Sequence, residues 1–196
     1  MKRKFLLIAL ILVAIVSCKK DNTTTTPAVT HVVGDKFGGG IVIYILKSGD
    51  LGYDPNVQHG LIVAPSDQTG TNLMRWYNGS YTTTGATGSA IGTGKTNTNT
   101  IIAKQGAGSY AAMLCHNLTL GGFNDWYLPS LYELRVIYWN VSIVSGIATG
   151  GYYWTSTEDD TAYTNAYQMI LSQGGGGHTM SDDKAMQCSV RAVRSF

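Results

Sequence analysis

Two groups of carboxylates carry the densest chemistry in this 196-residue chain: Glu158-Asp159-Asp160 and Asp182-Asp183. The first group closes an aromatic strand-like run and the second lies in a glycine-rich stretch. Oxygen ligands from two such loops could converge on Ca²⁺, which takes roughly six to eight of them. Solvated turn acids are the competing reading, and apart from calcium no cofactor is implied. His31, His59, His116 and His178 are scattered without metal-ligand spacing. Cys115-His116 is no nucleophile–base pair, because helix neighbours point about 100° apart. Gly92-Thr93-Gly94-Lys95-Thr96 has the tail of a phosphate loop, but Ser89 stands where that motif needs its first glycine. No residue is therefore assigned a catalytic role.

Aromatic residues supply the second signal. Trp76, Tyr77, Tyr81, Tyr152, Tyr153, Trp154, Tyr163 and Tyr167 are too many for one core, and several flank Asn/Thr/Gly stretches. Tyrosine and tryptophan present an apolar face with a polar edge, which suits stacking on sugar rings or on a protein surface. Arg75, Trp76, Tyr77 and Tyr81, joined by His178, are the candidate ligand contacts; Trp126 and Trp154 are expected in the core.

The elements that must hold these residues are organised around Gly121–Leu134. Trp126 and Leu128 alternate with Asp125 and Tyr127 as in a strand entering a core. Ser130 and Glu133 then have capping-box spacing, and Leu131, Leu134, Ile137, Tyr138 and Val141 recur at helical spacing. Helices are expected at Ser130–Val141, Thr98–Lys104 and Ser109–Leu118. Strands are expected at Gly40–Leu46, Gly60–Ala64, Tyr152–Thr157, Tyr163–Leu171 and Cys188–Ser195. Between them lie two long loops, Asp67–Thr96 and Gln173–Gln187, of the kind that in compact domains carry function.

Upstream, Lys2-Arg3-Lys4 and the apolar run Phe5–Val16 form the charged and hydrophobic regions of a signal peptide (residues 1–17), too short for the roughly 20 residues of a spanning helix. Ser17-Cys18 closes the run and resembles a bacterial lipobox, which makes Cys18 the expected lipidation site. Residues 18–30 read as a solvated tether, and residues 31–196 as one domain large enough to bury a core. Lys19 rather than aspartate after the cysteine resembles outer-membrane sorting, with the domain surface-exposed or facing the periplasm. Loss of Lys2, Arg3 and Lys4 leaves 11 Lys+Arg against 12 Asp+Glu, a net charge of −1. The apparent basicity belongs to the export signal and implies no nucleic-acid partner. Composition, with 24 glycines, 12 tyrosines and 13% charged residues, fits an irregular strand-and-loop protein, and with the expected helices the fold class is α+β.

The ordered segments Gly34-Asp35 with Gly39-Gly40-Ile41-Val42, His59–Pro65, Asp125–Pro129 with Glu133-Leu134, Tyr153–Glu158 and Val190–Arg194 resemble the DUF1566, or Lcl C-terminal domain, family. The resemblance spans nearly all of residues 31–196. It implies a C-type-lectin-like fold, with irregular antiparallel sheets, two to three helices and long loops, related in shape to formylglycine-generating enzyme domains. It also implies export, and in one branch adhesion to sulfated glycosaminoglycans. The Glu-Pro-Asn and Trp-Asn-Asp motifs of calcium-dependent sugar-binding lectins are absent. With Cys18 lipidated, Cys115 and Cys188 remain as an even pair in an oxidising compartment. The resemblance implies a helix-to-terminal-strand disulfide between them; two buried free thiols are the alternative.

These readings converge on a lipid-anchored module that binds an extracellular glycan or protein through its long-loop face and is not an enzyme. A structural envelope lipoprotein or assembly partner is the alternative. An enzyme of the formylglycine-generating type ranks third, because that chemistry needs a reactive cysteine arrangement.

Overall fold

The computed structural model describes residues 30–148, 150–171 and 177–196. The expected signal segment 1–17, Cys18, the tether up to residue 29 and Gly174-Gly175-Gly176 lie outside the described residues. The protein is a mixed helix and sheet structure with open antiparallel sheets. The first sheet joins β1 (Lys36–Phe37), β2 (Gly40–Ile45), β3 (Gly60–Val63) and β9 (Val193–Ser195), in that order. Both ends of the domain therefore lie in one sheet. The His31 ring stacks 3.8 Å from Phe37 and meets Phe196 edge-on. A second sheet is the meander β5 (Tyr152–Glu158), β6 (Asn165–Ile170) and β7 (Thr179–Asp183). A two-residue ladder, β4 (Met74–Arg75) with β8 (Gln187–Cys188), ties the two long connections together.

Among the described residues three helices cover the sheets: α1 (Gly94–Gln105), α2 (Ala111–His116) and α3 (Leu131–Trp139). The capping box forms as its spacing predicts. Ser130 Oγ accepts from Glu133 N, and Glu133 Oε2 accepts from Ser130 N at 2.8 Å. Glu133 also reaches a second helix, because Gly92 N donates to its Oε1 at 2.8 Å. That carboxylate sits at the N-terminus of α1, where orphan amides and the helix dipole favour an anion. It accounts for α1 starting four residues before the expected Thr98. The phosphate-loop-like stretch does bind an oxyanion, and the oxyanion is the protein's own.

The expected strand Cys188–Ser195 is split into β8 and β9. Ser189 pairs across to β5 (Trp154 N donates to Ser189 O, Ser189 N to Tyr152 O), while Ala192 O accepts from Ala64 N beside β3. The chain thus changes sheets within four residues. The switch is pinned by Arg191, which is fully buried. Its Nε donates to Asp67 Oδ1 at 2.7 Å and its Nη1 to the carbonyls of Ala64 and Ser145. Arg194 lies over the Phe123 ring and forks onto both oxygens of Asp125, at 2.7 and 3.0 Å.

Two expectations need correction. The stretch Gln173–Gln187 is not one loop, since β7 and β8 occupy most of its described part. Cys115 and Cys188 are free thiols, both buried in the core shared by α1, α2 and β5, and the disulfide is absent. Cys188 Sγ is directed at the side-chain carbonyl of Gln168, 2.8 Å away, and so takes a hydrogen-bond partner on β6 of the neighbouring meander. Burial pushes the Cys188 thiol up to about 12, with Asp182 adding to the shift, and burial raises Cys115 further.

Candidate functional site

The long connection 67–96 is held down along most of its length. Trp76 is 0% exposed; its Nε1 donates to Thr155 O at 2.8 Å, and the Lys184 ammonium lies 5.0 Å from its ring centroid. The expectation that Trp76 offers a ligand a stacking face is corrected, because that face is already covered. Tyr77 is also buried, and it supports Tyr81, whose ring stacks on it with centroids 4.9 Å apart. Tyr81 is 41% exposed. Its hydroxyl donates to Asp183 Oδ1 at 2.6 Å, and that bond pushes the phenol up to about 12.

Beneath Tyr81 lies a buried ion pair. Lys184 Nζ donates to Glu158 Oε1 at 2.5 Å, with both side chains almost fully enclosed. Glu158 further accepts from Thr84 N, Thr84 Oγ1 and Gly85 N. Burial alone would raise its carboxyl, but Lys184 and these donors outweigh burial and hold it below the usual range. The ammonium also donates to the carbonyls of Thr82 and Tyr163. One atom thereby fastens the loop after Tyr81 to the β5–β6 turn, where Tyr163 is 62% exposed. The surface that results carries Tyr81, Tyr163 and Asp183, with Arg75 exposed on the adjoining β4–β8 ladder. Tyr163 was visible in sequence only as one aromatic among many. Lys184 carried no signal, since an isolated lysine reads as solvated.

The remaining acids are similarly engaged. Asp159 accepts from Thr161 N and Oγ1 and from Ser181 Oγ, and the serine bond is the first cause holding its carboxyl low. Asp182 Oδ2 accepts from Gln168 Nε2 at 2.7 Å, and Asp183 Oδ1 takes Ala185 N besides Tyr81. Asp160 is exposed at the turn. Glu158, Asp159, Asp182 and Asp183 thus spend oxygens on separate internal donors, and Asp160 alone of the five stands in solvent. Among the described residues no three acidic, His or Cys side chains form a metal-holding group.

His178 is not part of this surface. It is exposed just before β7, where Ile170 N donates to its carbonyl, whereas Asp183 and Tyr81 stand at the other end of that strand. The five-residue strand separates the two by roughly 15 Å.

Other clefts open elsewhere. One of about 470 Å³ is lined by Lys36–Ile41, Pro65 and Ser145, and one of about 350 Å³ by Lys95, Asn99, His59 and Phe196 among others. No helix among the described residues is long and apolar enough to cross a membrane. No family model matches the chain, and no curated protein matches it.

Proposed function

We propose that the protein is an exported, lipid-anchored binding module that recognises an extracellular glycan through the surface of Arg75, Tyr81, Tyr163 and Asp183. The observation that carries this reading is the pair of exposed tyrosines on loops fastened by the buried Lys184–Glu158 pair. Rings presented on a rigid base lose little entropy on stacking against a sugar, and a charge of each sign beside them can engage hydroxyl, sulfate or carboxylate edges. The C-type-lectin-like fold and the DUF1566 resemblance belong to the same proposal. The adjacent chain ends in one sheet and the loop-bearing meander in another support them.

Enzymatic chemistry of the formylglycine-generating type has less support. Both cysteines of the domain are buried, with their thiols raised, so neither offers a ready thiolate. The test is a glycan array probed with the detergent-solubilised protein beside its Arg75→Ala/Tyr81→Ala/Tyr163→Ala variant. Binding lost in the variant supports the reading. An empty array, or binding unchanged by the triple substitution, turns it towards a protein partner or a structural envelope role.

A further inference from the structure

The place where the chain enters the domain is a fixed point. His31 N donates to Gln58 Oε1 at 2.6 Å, Gln58 Nε2 donates back to His31 O at 3.0 Å, and the His31 ring is packed on Phe37. Immediately after it, Val32 is 64% exposed and Val33 is exposed beside it. Gly34 then lies against the corner that follows α3, where a Cβ would be 4.0 Å from Ile143 Cδ1. Ile143 is itself exposed, and Trp139, the last residue of α3 and four positions before it, is 65% exposed. The corner is held to the first sheet by Asn140, whose Nδ2 donates to Ile43 O at 3.1 Å. Nothing inside the domain requires these four apolar side chains to face outward. Of the chain's four tryptophans, Trp76, Trp126 and Trp154 are buried and Trp139 is not.

We propose that this entry face, formed by Val32, Val33, Trp139 and Ile143, rests on the lipid bilayer to which the chain is anchored; the proposal depends on the lipid-anchored reading above. Eleven residues lie between the acylated position and Thr30, a reach of no more than about 40 Å. The entry point is therefore held within about 40 Å of the membrane surface. A tryptophan ring with an apolar body and a polar N–H favours the headgroup boundary, and small aliphatic side chains beside it add buried area. Lys36 is exposed next to the patch and suits anionic headgroups; the neighbouring Asp35 carboxylate accepts from Val32 N at 2.9 Å and lies 3.7 Å from His31 Nδ1, so Lys36 and Asp35 together leave the edge of the patch without a large charge of either sign. The arrangement also orients the glycan-binding surface. Gly177 abuts the Tyr138 ring, next to Trp139, and β7 leads away from there to Asp183 and Tyr81. A domain lying on Trp139 holds Tyr81 away from the lipid.

The test uses the full-length lipidated protein in phosphatidylethanolamine–phosphatidylglycerol vesicles whose acyl chains carry bromine, a quencher of tryptophan. The expected result is a bromine-quenched emission component that is lost in Trp139→Phe and weakened in Val32→Ser/Ile143→Ser, with both variants still floating with the vesicles. Near-ultraviolet circular dichroism checks that the variants are folded. Vesicle-bound protein whose Trp139 is quenched by aqueous iodide but not by bromolipid overturns the proposal and leaves the anchor standing. Trp139 shielded from both quenchers means that protein, such as a second copy, covers it, and also overturns the proposal. Protein that fails to float with the vesicles removes the anchor reading and this proposal with it.

Discussion

The carboxylate of Glu133 occupies the space where a side chain on Gly94 would begin: a Cβ there would overlap Glu133 Oε2 and crowd Ser130 N. One buried anion thus closes the N-terminus of α3 through its own capping box and that of α1 through Gly92, with Gly94 the residue that lets the two helices come this close. Gly94→Ala is expected to cost about 1–3 kcal/mol, the range for overpacking a well-filled site. Urea unfolding of the variant checks it; a midpoint equal to wild type would mean that the two helix ends separate freely.

The two buried glutamates respond to acid in opposite directions. Burial raises the Glu133 carboxyl. Between its unfolded pKa of about 4.3 and its raised folded value the native state binds the proton more tightly, so stability falls as pH rises through that window. The Glu158 carboxyl is depressed. Its contribution is fully present above the unfolded value and is lost as pH falls through the folded one. Denaturant unfolding across acid pH should therefore show Glu133→Gln removing the gain on mild acidification and Glu158→Gln removing the loss in strong acid. Identical pH profiles for the two variants would contradict both environments.

Lys184→Met should be the most damaging single change at the loop surface. It leaves Glu158 buried without its cation and frees the Thr82 and Tyr163 carbonyls. The expected cost is about 3–5 kcal/mol, with much of it recovered in the Lys184→Met/Glu158→Gln double variant. Thermal unfolding of the four-member cycle measures the recovery, and additive losses would mean that the pair does not act as one unit.

Local rules were readable in the residues, and long-range pairings were not. Ser130 and Glu133 are three apart, so their capping box could be read from spacing alone, and so could the apolar face of α3. That Glu133 also caps α1 depends on Gly92, 41 residues away, which no periodicity reports. β4 and β8 are two residues each and exist only because they pair with each other. β7, Thr-Met-Ser-Asp-Asp, is polar enough to read as a loop and is a strand because β6 supplies its ladder. The same blindness placed His178 beside Asp183, when a strand holds them apart. It also left Trp76 exposed in expectation, because the Lys184 above it and the Thr155 carbonyl beside it come from distant parts of the chain.

Cys115 and Cys188 are buried in a common core without a bond between them, and burial keeps both protonated at neutral pH. The thiolate is the reacting form, so neither should react with a disulfide reagent while the protein is folded. In denaturant without reductant both should titrate at once. The folded protein also reports on Cys18. If that residue is thioether-linked to lipid, the native chain yields no reactive thiol; in Cys18-unprocessed protein a single fast thiol appears, and it disappears in Cys18→Ser. Two thiols missing from the denatured, non-reduced protein would mean that a Cys115–Cys188 bridge forms after all. That outcome would require Cys188 Sγ to leave the Gln168 carbonyl and turn towards α2, so it should be accompanied by a changed near-ultraviolet signal from Trp154 and Trp76, which pack in the same cluster.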